Sequence, residues 1–269
     1  MNLGPASLTI TNLDRSVAFY QDVIGLQVHR GTDAGAVLGA GAADLLELVE
    51  EPAARPAGRH AGLYHLALLH DSREELARAV QRLVVTRTPI DGASDHGVSE
   101  AIYLPDPDGN GLELYADRPR DQWPPPGPGE RVGMYTQPLD LQALYGLVAE
   151  DEPVRHASPG FRVGHVHLHV SDLEAAVAHY QDTLGLELMV RMPSAAFLSW
   201  DGYHHHLGLN TWRGVGIPPV PADAVGLRHF TVVDRDGEPR ELADPSGNRA
   251  LVQASSPASQ AMSSFSTAG

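Results

Sequence analysis

Histidine is the residue that stands out in this chain. There are 14 of them in 269 residues, with no cysteine. In VGHVHLHV, His165, His167 and His169 alternate with Val166, Leu168 and Val170. In a strand, the three imidazoles then share one face. His204, His205 and His206 are consecutive, so the register leaves open which of them faces inward. His65 precedes the apolar run Leu66-Ala67-Leu68, and Glu113 sits between Leu112 and Leu114. A carboxylate buried in such a strand is costly without a charge partner. Imidazole is both a metal ligand and a group that titrates near neutrality. Metal binding or proton transfer is the chemistry these residues suggest. The lack of cysteine excludes disulfides, zinc–thiolate sites and thiol catalysis.

The elements that would hold these residues are repeated. LTITNLDRSVAFYQDVIGL at 8–26 recurs as LHVSDLEAAVAHYQDTLGL at 168–186. GLYH at 62–65 recurs as GLRH at 226–229, and DPDGNGLELY at 106–115 as DPSGNRALVQ at 244–253. Such self-similarity means copies of one supersecondary unit. In the third copy, an alternating strand leads to Ser171-Asp172, an N-cap signal. Leu173, Val177, Tyr180 and Leu184 follow at helical spacing, and Gly185 stands at the C′ position. Strands near 187–192, 195–200 and 204–210 complete a βαβββ module.

Module 1 spans about 4–50 with the same order. Module 2 spans about 61–116, with a strand at 63–69, a helix at 72–84 and strands near 88–90, 99–104 and 111–115. Module 4 begins near 225 and reads as truncated. His65 and Glu113 are 48 residues apart, whereas His229 and its repeat counterpart Leu251 are separated by only 22. The missing stretch would hold the helix and a strand. The fold class is therefore α+β: four βαβββ modules, the fourth truncated. The domain reading is 1–116 (modules 1 and 2), a Pro-rich connector at 117–160 with a short helix, 161–254 (modules 3 and 4), and a disordered tail at 255–269.

Apolar residues make up 42% of the chain and the net charge is −15. The charge argues against a nucleic-acid partner, since phosphates need a basic face. No stretch is long enough to span a membrane, and the start lacks a charged segment followed by an apolar run. The expected location is cytoplasmic.

The modules, the helix motif and the DPDGN strand resemble the vicinal-oxygen-chelate superfamily (glyoxalases, bleomycin-resistance proteins, extradiol dioxygenases) over roughly residues 4–253. Two glyoxalase-like domains would follow. More narrowly, DHGVSEAIYLPDPDGNGLELYADRP at 95–119 and GYHHHLGLNTW at 202–212 resemble the two-domain catechol 2,3-dioxygenases. The resemblance implies Fe(II), with Mn(II) also compatible, held by two histidines and one glutamate. It implies a small aromatic diol and O2 as substrates, and allows a homo-oligomer.

In that superfamily each module offers two ligand positions. Here the first is Pro5, His65, His165 and His229 in modules 1 to 4. The second is Glu47, Glu113 and Leu251 in modules 1, 2 and 4, and the 204–206 histidines take its place in module 3. Modules 3 and 4, the usual pair, lack a carboxylate. Modules 2 and 3 supply His65, Glu113 and His165, so the working site is expected between them, within one chain or across a dimer. Modules 1 and 4 would then be a metal-free pair, with Glu47 structural and His229 a remnant. By the same resemblance His205 is the acid–base group. Tyr103 and His96 would hydrogen-bond the substrate, with Asp95 orienting His96. His167 and His169 are read as packing residues, and His60, His70 and His179 as surface residues. Phe197, Trp200, Trp212 and the connector are candidate cavity walls. Two other readings stay open: a glyoxalase-type metal-dependent isomerase or lyase, and a metal-free binding protein of the bleomycin-resistance kind.

Overall fold

The computed structural model describes residues 1–234 and 237–254; the segment 255–269 read above as a tail lies outside them. In chain order, module 1 contains β1 (Asn2–Ile10), α1 (Leu13–Phe19), β2 (Gln27–Thr32), β3 (Gly35–Ala40) and β4 (Ala43–Glu50). Module 2 contains β5 (Gly62–His70), α2 (Arg73–Thr86), β6 (Gly92–Asp95), β7 (Ser99–Pro105) and β8 (Gly111–Asp117). The connector adds β9 (Gln137–Pro138) and α3 (Leu141–Gly146). Module 3 contains β10 (Arg162–His169), α4 (Leu173–Leu184), β11 (Glu187–Arg191), β12 (Ala195–Ser199) and β13 (Leu207–Asn210). Module 4 contains β14 (Gly226–Asp234), β15 (Arg240–Ala243) and β16 (Arg249–Ala254), with no helix among its described residues.

Local chemistry sets the helix ends. Asp172 accepts from the Ala175 N–H at 3.0 Å, and Ser72 from Glu75 N–H at 3.3 Å. Gly185 closes α4 in the left-handed region, with φ 63°. In module 1 the helix is α-helical from Leu13 to Phe19, and Tyr20–Ile24 continues it as a π-turn. The strand expected near 88–90 lies instead at 92–95. Pro89 has no N–H to give a ladder, and β6 pairs with β7 only from Gly92 onward. The histidines at 204–206 precede the last strand of module 3, which starts at Leu207.

The sheets do not follow the order of the halves. One has the order β15-β16-β14-β1-β4-β3-β2, from modules 4 and 1. The other has the order β11-β12-β13-β10-β5-β8-β7-β6-β9, from modules 3 and 2 with the connector's β9 at one edge. β5 and β10 pair antiparallel within one chain, so the edge-to-edge contact of modules 2 and 3 is intramolecular. The main apolar core lies between the sheets and the helices and draws on all four modules, with Tyr20, Leu66, Leu168, Tyr180 and Phe230 all buried.

The repeated motifs clasp modules that do not share a sheet. Tyr20 of module 1 donates to Asp106 of module 2 at 3.0 Å, and Tyr180 of module 3 donates to Asp244 of module 4 at 3.2 Å. Asp106 also accepts from the Asp108 N–H, the Asn110 N–H and the Asn110 amide at 2.8–2.9 Å. The DPDGN turn is therefore a structural clasp. Asp106→Ala should destabilise the fold by about 2–4 kcal/mol, because it leaves buried donors unmade. Urea unfolding would show this as a lowered midpoint; an unchanged midpoint would remove the clasp from the stability account.

Candidate metal centre

Strand register brings three donors to one point. Ala67 on β5 is opposite His165 on β10 and also opposite Glu113 on β8. His65 lies two residues along β5, on the same face as Ala67. The small Ala67 leaves room for larger neighbours above it. The His65 and His165 Nε2 atoms are 3.2 Å apart. Glu113 Oε2 is 3.0 Å from His65 Nε2 and 3.1 Å from His165 Nε2. All three residues are buried.

These atoms fit a divalent metal ion. Ligands about 2.1 Å from an ion and at right angles to each other are about 3.0 Å apart, the edge of one octahedral face. Burial pushes the His165 pKa down to about 4, against the pull of Glu113, so its ring is a neutral donor at pH 7. Burial raises the Glu113 carboxyl, but His165 and His65 outweigh it and hold it well below the usual carboxylate range. Without a metal, an imidazole Nε2–H can donate to Glu113; a divalent cation would replace those hydrogen bonds with lone pairs from all three groups. These three residues are the only group of at least three His, Cys, Asp or Glu donors so arranged among the described residues.

The centre opens on a cavity of about 390 Å³. His65, Glu113, His96, Tyr103 and His205 line it; His165 lies behind. His96 Nε2 and Tyr103 Oη are 2.7 Å apart. Burial, then Glu113, pushes the Tyr103 phenol far above its ordinary range, so it stays protonated. Asp95 does not orient His96. Its carboxylate accepts from Arg118 at 2.8 Å and from the Gly97 N–H at 2.9 Å. His96 Nδ1 instead meets the Tyr135 carbonyl at 3.1 Å, a partner from the connector. Met134, Tyr135 and Thr136 form part of the cavity wall, and no spacing in the sequence marks them out.

Of the three consecutive histidines, His205 is the one that lines the cavity, its ring 4.0 Å from that of His165. His206 turns to Ser199 Oγ at 2.9 Å. His204 is fully buried and links two groups: Asp117 Oδ1 at 2.8 Å from its Nε2, and His205 Nδ1 at 2.8 Å from its Nδ1. Tyr203 also donates to Asp117, at 3.0 Å. Nothing in the sequence spacing links residue 117 to 204; only the folded chain forms this Asp117–His204–His205 relay.

Other expectations resolve differently. Phe197 and Trp212 line the cavity, but Trp200 donates to the Leu184 carbonyl at 2.8 Å and is buried elsewhere. His167 lines the cavity, while His169 bonds Asn210 at 2.7 Å. His70 is not a surface residue: it is buried and stacked on Phe161 at 4.3 Å. His60 and His179 are half-buried. In the other sheet, Ser7 stands between His229 and Glu47 as Ala67 stands between His165 and Glu113. Pro5 occupies the place of His65, so the third donor is missing there.

Residues 2–114 match the Glyoxalase/Bleomycin resistance protein/Dioxygenase superfamily, and residues 162–199 match the Bleomycin resistance protein-like N-terminal family. The catechol-2,3-dioxygenase of Bacillus subtilis (strain 168) is 47% identical over 239 residues, covering 86% of this chain and 82% of that protein. Among solved structures, glyoxalase I from Zea mays superposes with TM-score 0.57 at 17% identity, covering 93% of this chain and 91% of that one. The cppA protein from Streptococcus pneumoniae TIGR4 superposes with TM-score 0.57 at 12% identity, covering 95% and 98%. These two likenesses concern the fold. With its βαβββ modules and its near-half identity to a curated relative along most of its length, the chain belongs to the glyoxalase/bleomycin-resistance protein/dioxygenase superfamily.

Proposed function

We propose that this protein is an extradiol dioxygenase that opens the ring of a catechol with O2, using Fe(II) held by His65, Glu113 and His165. Mn(II) suits the same donors. One observation carries the reading: the buried imidazole–carboxylate–imidazole triangle faces a cavity lined with proton-handling side chains. The identity to the Bacillus subtilis enzyme supports it.

A metal on a two-histidine, one-carboxylate face supplies open positions for the diol oxygens and O2. The protein handles the protons. Asp117 accepts the Nε2–H of His204, so in neutral His204 the Nδ1 is an acceptor. His205 must then donate its Nδ1–H, which leaves its Nε2 free to take a hydroxyl proton from the catechol. Tyr103, kept protonated by burial, and His96 form a hydrogen-bonding wall for the oxygens of the ring. Asp117→Asn should lower turnover by about 10–100-fold while leaving metal content unchanged, because the amide loosens control of the His204 tautomer. Equal loss of metal would make Asp117 merely structural.

The test is anaerobic loading with Fe(II), then catechol and air, on wild type, His165→Ala and His229→Ala. A yellow semialdehyde with about one iron per chain is expected for wild type and His229→Ala, and neither for His165→Ala. Bound metal without product would favour the isomerase or lyase reading. Neither metal nor product in wild type would favour a binding protein.

A further inference from the structure

The cavity has two unlike sides. The His65 ring lies between Tyr64, at 4.8 Å, and Tyr103, at 5.7 Å. On the Tyr103 side are hydrogen-bonding groups: His96, Ser94 and Thr136. On the Tyr64 side is a set of rings in mutual contact. Tyr64 meets Trp212 edge-on at 5.1 Å and His167 at 5.0 Å. His167 in turn meets Trp212 at 5.4 Å and Phe197 at 5.7 Å. Tyr64 and Trp212 are otherwise exposed, so their faces are available at the mouth. Gly208, the register partner of His167, gives the imidazole its place. A Cβ there would lie 2.7 Å from the ring.

Among the described residues, no lysine or arginine lines this cavity, and its one acidic residue is Glu113. The nearby cations are engaged elsewhere. Arg118 donates to Asp95 and Glu100, both at 2.8 Å. Arg213 donates to the His60 carbonyl and lines a different cavity. A carboxylate entering here would lose its hydration with no arginine lining the cavity to pair with it, inside a protein of net charge −15, while the charge of a bound metal would be met by Glu113 and the diol oxygens. Aromatic faces reward flat apolar groups instead. At about 390 Å³, the cavity is near the small end of small-molecule sites.

We propose that the cavity selects uncharged catechols bearing a small apolar substituent, which lies against Tyr64, His167, Phe197 and Trp212, and rejects catechols bearing a carboxylate. The proposal rests on the ring-cleavage reading for its substrate core, but the charge selection stands on the cavity alone.

The experiment uses the Fe(II)-loaded protein and four probes: catechol, 4-ethylcatechol, 3,4-dihydroxybenzoate and 3,4-dihydroxyphenylacetate. Anaerobic calorimetry gives binding, and semialdehyde formation in air gives kcat/KM. Ethylcatechol should bind at least as tightly as catechol, and both carboxylates about 100-fold more weakly. Trp212→Ala should weaken ethylcatechol by about 10-fold with a smaller effect on catechol. Met192→Arg, at an exposed position on the rim, should narrow the gap between carboxylates and catechol by about 10-fold. Carboxylates binding as tightly as catechol to wild type would overturn the proposal. So would a Trp212→Ala variant that keeps the ethylcatechol preference. If no catechol is cleaved, the ring-cleavage reading fails, and the calorimetric order still decides the charge selection.

Discussion

Glu113→Gln is expected to abolish metal binding and ring cleavage while the metal-free protein keeps its fold. The substitution preserves shape but removes the one negative charge among the three donors. Its effect should exceed the about 10–100-fold losses typical of groups that only orient a ligand. The apo protein should lose part of the stability that ionised Glu113 draws from His165 and His65, but the isosteric amide can still hydrogen-bond to the imidazoles and keep the fold. The clearest readout is metal-linked stabilisation. Wild type at a hundredfold excess of free metal over Kd should gain about 2.7 kcal/mol, and the variant none. This can be read by thermal unfolding without any assay of activity. A variant stabilised like wild type would remove Glu113 from the metal centre, and the functional reading with it.

Gly111→Ala should both weaken the fold and loosen the site. A Cβ at 111 would lie 2.1 Å from the Tyr64 carbonyl oxygen, a backbone atom that cannot swing away. β8 would have to move from β5 at the point where Glu113 and His65 must meet. The expected loss is about 1–3 kcal/mol of stability, with weaker metal binding beside it. Gly109→Ala is the control. Gly109 has φ 86° but nothing within 4 Å of the added carbon, so it should lose about 1 kcal/mol and retain its metal. If the two variants lost metal equally, strand spacing at Gly111 would not be what holds the centre.

Much of the fold was legible because its signals are local. Alternating strands, the Asp172 cap, Gly185 and the repeats each depend on neighbouring residues. The misplaced strand near 88–90 shows the limit: Pro89 forbids pairing, but only the partner strand shows where pairing resumes. Asp95 and His96 are adjacent in sequence, yet Arg118 takes the carboxylate and the connector takes the imidazole. His70 lacks a motif and so reads as exposed; Phe161, which covers it, is far away in the chain.

The sequence by itself determined which residue types each module contributes. His65 and Glu113 belong to module 2, His165 to module 3, and Pro5 and Leu251 withhold donors from the other pair. Those facts depend on covalent order alone. Tertiary structure decided that the donors converge. β5 accepts β10 as its antiparallel neighbour within one chain, in a register that sets Ala67 between His165 and Glu113. Strand pairing joins residues about a hundred positions apart, and the burial of one face of each strand sets its register. The same packing chose His205 over its neighbours: Asp117 claims His204 and Ser199 claims His206.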